Sequence, residues 1–319
     1  MFYFILIISL LIIEFVFIRL GEKYNIFDDP TDRSSHVHKT IRGGGIIFWF
    51  AALAAFLWSP GLYWPFFAGM TVVSVVSFID DLHQIGQWPR FFSHVAGFTL
   101  MFFFLNFFNA HWYVILVTYI VFIGVLNAWN FMDGINGING LYSLTVLGAL
   151  QYVNINEIAF RDPLFIWSPM VACLVFLFFN FRKKALCFGG DVGSIAIAFW
   201  IVTILLSLMI KTHTVIWLAF ISVYGIDSVF TILHRMYLHQ NIFEAHRLHL
   251  YQTLANECNI DHRLVSLIYA IVQVVICIII IAFWDKVNFW LLAFAIHIPL
   301  GAVYGFKFLI LRRNCTPAR

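Results

Sequence analysis

The chain has 319 residues, of which 62% are hydrophobic and only 11% charged, and its mean hydropathy is +0.90. Soluble domains carry charge on about a quarter of their residues, so this composition excludes an ordinary soluble enzyme. The net charge of +3 points to no nucleic-acid partner, and the five cysteines form no CxxC pair, which argues against a disulfide framework or a cysteine zinc site.

Apolar runs recur from end to end, at about 2–20, 44–60, 62–79, 91–108, 112–129, 137–153, 164–180, 192–210, 214–233, 264–283 and 288–311. In a bilayer such runs read as spanning helices, because a helix satisfies its own backbone groups. The expected fold is an all-α polytopic membrane protein with about eleven transmembrane helices, forming one integral-membrane domain over residues 1–319. No basic residue precedes the first run and no small-residue cleavage site follows it, so it is expected to stay as an anchor.

The polar stretches between these runs carry the chemistry. "TDRSSHVHKTIRGGG" offers Arg33, Ser34, Ser35, His36, Lys39, Arg42 and three consecutive glycines, a pattern suited to phosphate or to lipid headgroups. Asp80 and Asp81 end the third run. Adjacent carboxylates at a helix end repel each other and point in different directions, so each needs its own partner, and ionised groups at membrane depth usually mark function. Arg90 begins the fourth run and could meet phosphate.

"NAWNFMDGINGING" at 127–140 follows the fifth run. Asn127 and Asn130 lie upstream of Asp133; Asn130 and Asp133 share a face on a helix, and together they could hold a metal, a phosphate-bound water or a sugar hydroxyl. Gly134 and Gly137 permit close backbone approach. "CFGGDVGS" places Asp191 between glycines at the start of the eighth run. Backbone N–H groups there favour anions, and a carboxylate beside them can hold Mg²⁺ while phosphate oxygens complete the shell. "NIFEAHRLHLYQ" at 241–252 supplies His246, Arg247 and His249, good partners for a diphosphate. Asp227 lies inside the ninth run, and His234 or Arg235 are its expected partners, in a structural role or in support of residues that meet the ligand.

If loops after odd-numbered runs share a side, that side holds all nineteen Lys and Arg except Arg161, Lys211 and Lys286. The positive-inside rule makes it cytoplasmic, with the N-terminus outside and the C-terminus inside. All five polar motifs then fall on the cytoplasmic face, and one composite site there is the expectation.

Taken in order, "RSSHVHKTIRGGG", "FIDD", "NAWNFMDGINGING", "FGGDVGS" and "HRLHLYQ" resemble the polyprenyl-phosphate N-acetylhexosamine-1-phosphate transferases. These are of the bacterial glycosyltransferase family 4 type and are related to phospho-N-acetylmuramoyl-pentapeptide transferase. The resemblance spans residues 33 to 252. It implies attack of a membrane polyprenyl phosphate, undecaprenyl in bacteria, on the sugar-proximal phosphorus of a UDP-amino sugar, giving polyprenyl diphosphate sugar and UMP. It implies Mg²⁺, with Mn²⁺ as a substitute, and the bacterial inner membrane. By the same resemblance Asp191 matches the metal-binding Asp, Asp80 and Asp81 the acidic pair whose roles are nucleophile orientation, proton acceptance and metal support, Asn130 and Asp133 the nucleotide and metal neighbourhood, and His246 and His249 the diphosphate contacts. Substrate contacts are expected from Asn127, Asn130, Arg42, Arg90, Lys184 and Arg247. Membrane lipids are expected partners, and a homodimer stays open.

The chain departs from the pattern in three places. Asn136 stands where many relatives carry a second acid. Arg182, Lys183 and Lys184 stand near a usual Pro-Ala, which is expected to alter the nucleotide pocket. Arg247 separates the two histidines, which favours a simple amino-sugar donor. A transporter is the rival reading, since many helices with buried acids also suit ion passage. Transporter sites tend to lie near the midplane, whereas these acids cluster at one surface. A CDP-alcohol phosphotransferase motif is absent.

Overall fold

The computed structural model describes residues 2–30, 38–241 and 247–314. Its long elements are helices: α1 (Phe2–Tyr24), α2 (Ile47–Trp58), α3 (Pro60–Leu82), α4 (Gln87–Phe104), α5 (Trp112–Phe131), α6 (Ile138–Asn156), α7 (Pro163–Asn180), α8 (Gly190–Thr212), α9 (Ser222–Tyr237), a one-turn α10 (Leu250–Gln252), α11 (His262–Phe283) and α12 (Phe289–Asn314). Each of the eleven expected runs corresponds to a helix longer than one turn. Among the described residues, eight helices are long and apolar enough to cross a bilayer. The other three positions are taken by α2, which has only 12 residues, and by α4 and α6. Arg90, Ser93 and His94 lower the apolarity of α4, and Asn139, Gln151 and Asn154 that of α6.

Burial orders the bundle. In α8, 89% of the most apolar window is enclosed by protein, against 17% in α5 and α12. Helix α8 is therefore the central post, apolar on every side as a fully enclosed helix must be, while α1, α5 and α12 face outward. Phe4, Trp112, Ile120, Trp290 and Ile298 are exposed on the outside, and such a surface is stable against hydrocarbon rather than water. Cys173, Cys187 and Cys277 are buried free thiols, and no disulfide links the described cysteines.

One crossing sets the site. Strand β2 (Thr40–Ile41) pairs antiparallel with β1 (Phe27–Asp28), and Ile41 also bridges Cys187. Phe188 N–H donates to the Ile41 carbonyl at 2.7 Å, Gly44 N–H to Phe188 at 2.9 Å and Gly45 N–H to Gly189 at 3.0 Å. The glycine triplet thus lies on the start of α8. A Cβ on Gly45 would sit 2.1 Å from the Gly193 Cα, so only backbone on backbone fits here. Beneath the crossing, Glu14 of α1 accepts the Cys187 thiol at 3.0 Å.

Candidate functional site at the start of helix α8

Asp191 lies in the first turn of α8, as the motif predicts. Around it gather the end of α3, the start of α4, the end of α5 and the β2 segment. Asp81 sends its carboxylate onto the α8 terminus: Oδ1 accepts Asp191 N–H at 2.9 Å and Oδ2 accepts Val192 N–H at 2.9 Å. The orphan N–H groups and the positive end of the helix dipole meet an acid supplied by another helix. Its side chain is 1% exposed.

Two guanidinium groups tie the acids together. Arg42 Nε bonds Asp81 Oδ1 at 2.6 Å while its Nη2 reaches Asp191 Oδ1 at 3.2 Å. Arg90 Nη1 lies 3.1 Å from Asp80 Oδ2 and 3.8 Å from Asp191 Oδ2. Asp80 also accepts the Ile85 N–H at 2.8 Å, so the adjacent acids do take different partners. Asp80 and Asp191 further touch each other through their carboxyl groups. Burial opposes charge on Arg42, but Asp81, Asp191 and Asp28 outweigh it and hold the guanidinium protonated more firmly than in water.

Asn130 Nδ2 donates to Asp191 Oδ1 at 2.9 Å and to Ser194 Oγ at 3.1 Å. Ser194 escaped the sequence reading, although its place in "GGDVGS", one turn beyond Gly190, was the available signal. Asp133 does not share a helical face with Asn130, because α5 stops at Phe131. It occupies the following turn, where a Cβ on Gly189 would lie 2.7 Å from its Oδ2. The residue keeps some surface, but its carboxyl is enclosed. Burial pushes the pKa up to about 7, with Asp191 and Asp81 adding to the rise while Asn139 and Arg42 oppose it. On the other side, Gly190 has φ +70°, and a Cβ there would meet Asp81 Oδ2 at 2.6 Å. Two glycines therefore separate Asp133 from Asp81 in a cradle that a side chain would fill.

The remaining candidates divide. Asn127 donates to the Ile123 carbonyl of its own helix at 2.8 Å and does not join the cluster. Lys184 lines a separate cavity of about 390 Å³, together with His38, Lys39, Asn136, Lys183 and His262. Asn136 donates its amide to the Arg182 carbonyl at 2.8 Å, a bond an ionised acid at this position would be unable to make. Arg247 is exposed at the root of the 247–252 segment. His246 lies outside the described residues, as do Arg33, Ser34, Ser35 and His36.

His249 is buried, and its place corrects the reading of Asp227. The partner of Asp227 is neither His234 nor Arg235 but His249, whose Nδ1 lies 3.1 Å from Oδ1. The separation of 22 residues crosses a loop that helical periodicity has no means of spanning. The segment still reaches the acids indirectly: Tyr251 hydroxyl donates to the Phe131 carbonyl at 2.9 Å, beside the turn that carries Asp133.

Four carboxylates offer hard oxygen donors of the kind magnesium takes. Among the described residues, no three acids, imidazoles or thiols already converge as a ligand set; Arg42 and Arg90 bridge the acids instead. Two carboxyl groups in direct contact, and a glycine cradle between two more, are nonetheless an arrangement that a divalent cation would relieve.

A sequence model described as glycosyl transferase family 4 matches residues 63–209, which include Asp80, Asp81, Asn130, Asp133 and Asp191. Over 315 residues the chain is 25% identical to the probable undecaprenyl-phosphate N-acetylglucosaminyl 1-phosphate transferase of Bacillus subtilis (strain 168), covering 91% of this chain and 86% of that protein. With the helical bundle and the motif order, these matches make the chain similar to glycosyl transferase family 4 over the segment that carries the polar cluster.

Proposed function

We propose that the protein transfers an amino-sugar 1-phosphate from a UDP-sugar to a membrane polyprenyl phosphate, undecaprenyl phosphate being the first candidate acceptor. The observation that carries this reading is the start of α8, where Asp80, Asp81, Asp191 and Asn130 meet Arg42 and Arg90 at one end of the helical bundle. A transporter would need such groups along a path, whereas these close one end.

In the proposed reaction an oxygen of the lipid phosphate bonds to the sugar-proximal phosphorus, and the bond from that phosphorus to the bridging oxygen breaks. UMP leaves with the bridging oxygen. A phosphate monoester has a second pKa near 6, so the nucleophile is already dianionic at neutral pH. Charge then balances between reactants and products with no proton removed, and positioning and charge neutralisation become the main tasks.

Arg42 and Arg90 are placed to turn part of their hydrogen-bonding fork from carboxylate to phosphate. Asn130 orients Asp191, and Asp81 holds the helix end on which Asp191 sits. When bound, a magnesium ion, with manganese as a substitute, would neutralise phosphate charge; Asp191 would hold it, with Asp80, Asp81 and Asp133 as the neighbouring oxygen donors. The cavity at Lys39, Lys183 and Lys184 suits the anionic or polar part of the nucleotide donor. An N-acetylated hexosamine is the proposed sugar, and a cell-surface glycan the proposed destination.

The direct test is UMP release by purified protein given undecaprenyl phosphate, magnesium and single UDP-sugars. Release that requires both the lipid phosphate and an N-acetylated donor supports the reading; hydrolysis without lipid, or no release with any donor, removes it.

A further inference from the structure

Away from the acid cluster, one buried carboxylate collects an unusual set of donors. Asp227 lies in the apolar core of α9 with its side chain 3% exposed, and His249 beside it is 2% exposed. Oδ1 faces His249 Nδ1 at 3.1 Å and accepts the Leu250 N–H at 3.0 Å and the Thr231 hydroxyl at 3.3 Å. Oδ2 accepts the Tyr269 hydroxyl at 2.6 Å and the Tyr251 N–H at 3.4 Å. Three of these five contacts come from the consecutive residues His249, Leu250 and Tyr251.

A carboxylate whose task was to hold α9 to its neighbours would be met mainly from those helices. Here most contacts come from a short irregular segment, and other elements grip the same segment. Lys307 of α12 donates to the Leu248 carbonyl and to the Tyr304 hydroxyl. Tyr251 donates to Phe131 on the opposite side, and a Cβ on Gly134 would lie 2.3 Å from its hydroxyl oxygen. The segment is wedged between Asp227 and the turn that bears Asp133.

We propose that Asp227 is a positioning residue that acts through His249, fixing the ring and with it the 247–252 segment against the acid site. The chemistry is that of a carboxylate–imidazole pair. An Nδ1–H donated to a carboxylate selects one tautomer, makes Nε2 the basic nitrogen and locks the ring plane. Asparagine is unable to reproduce this, since both oxygens of Asp227 face donors and an amide presents an NH₂ to one set. The inference rests on the transferase reading for its kinetic consequences, but the tautomer of His249 does not depend on that reading.

The test uses full-length protein in nanodiscs with undecaprenyl phosphate, magnesium and the UDP-sugar that the wild type accepts. Asp227→Asn should lower kcat about 30- to 100-fold, the range for losing a carboxylate behind a functional histidine, with KM for both substrates within about twofold. The double variant Asp227→Asn/His249→Ala should be no worse than His249→Ala alone, because residues acting as one unit are non-additive. Tyr269→Phe, which removes a donor to Asp227 but leaves the His249 contact, should stay within about fivefold of wild type. If Asp227→Asn does not fold, Asp227→Glu keeps the charge, moves the carboxylate by one methylene and serves in the same cycle.

Multiplying effects in the double variant, or a Tyr269→Phe loss equal to that of Asp227→Asn, would overturn the proposal and leave Asp227 as a helix tie. A spectrum of ¹⁵N-histidine-labelled protein decides the matter independently of activity. His249 should appear as the Nδ1–H tautomer in wild type and as a mixture in the variant. A wild type that shows this tautomer but releases no UMP would sink the transferase reading alone; a His249 unchanged by the substitution would sink the positioning role.

Discussion

Asp81 caps the helix that carries Asp191: its two carboxylate oxygens accept the first N–H groups of α8, at Asp191 and Val192, each at 2.9 Å. Two acids that would repel each other are held together because the helix terminus and Arg42 supply the opposing charge. Much of what positions Asp191 is therefore a contact between residues 110 positions apart.

The first consequence concerns Arg42. Removing one partner of a buried ion pair leaves the other charge uncompensated. Arg42→Ala should lower kcat/KM by about 10²–10³, or about 3–4 kcal/mol of transition-state stabilisation. Arg42→Lys should recover only part of it, since an ammonium is a poor bridge between Asp81 and Asp191. UMP release by the three proteins measures both effects, and full recovery by lysine would show that charge alone matters.

Gly190 gives a second test. Its φ of +70° and the 2.6 Å approach of Asp81 Oδ2 to a hypothetical Cβ leave alanine no room. Gly190→Ala should displace Asp81 and reduce activity at least as far as Asp81→Asn does. Gly148→Ala, where a Cβ meets nothing within 4 Å, should be silent in the same assay.

A third outcome follows from Asp133. Its carboxyl is held near pH 7, mainly by burial, against about 3.9 in an unfolded chain. A raised acid favours the fold while protonated, so this stabilisation is complete below about pH 4 and is lost as pH rises through 7. The thermal midpoint of metal-free protein should fall between pH 5 and pH 8, and Asp133→Asn should flatten that fall. Added magnesium should raise the midpoint more at pH 8, where the carboxylate is available, than at pH 5.5. An equal rise at both values would place the ion elsewhere.

The sequence made Asp80, Asp81, Asp133 and Asp191 legible because charge is scarce in this chain and each acid ends or begins an apolar run. It made the helices legible for the same reason, down to eleven runs. It did not reveal that α2, α4 and α6 fall short of a free-standing span; α6 is largely enclosed by its neighbours, whereas α4 buries only one face, through Ser93, His94, Gly97, Phe98, Met101 and Phe102. Nor did it reveal contacts between distant positions. Arg42 reads as a phosphate ligand, yet its partners are Asp81 and Asp191. Asn127 reads as part of the amide cluster, yet its side chain turns back on α5. Asp227 reads as a tie to the next helical turn, yet it holds His249 across a loop.

Orientation is open to a labelling experiment. Cys258 is exposed and lies beyond the 247–252 segment, while Cys173, Cys187 and Cys277 are buried. In a Cys315→Ser background, Cys258 should resist an impermeant maleimide in intact cells and react after permeabilisation. A Ser59→Cys substitution, between α2 and α3, should react in both. The reverse pattern would put the acid cluster outside.

Whether the end of α8 moves a sugar 1-phosphate onto a lipid phosphate is decided most directly by one measurement. Purified protein in nanodiscs, supplied with undecaprenyl phosphate, magnesium and a UDP-N-acetylhexosamine, should release UMP and form lipid diphosphate sugar in equal amounts. Asp191→Asn should stop both while leaving the thermal midpoint within a few degrees of wild type. UMP release by Asp191→Asn within a few fold of wild type at saturating magnesium would contradict the account, because the acid at the start of α8 would then have no part in the chemistry.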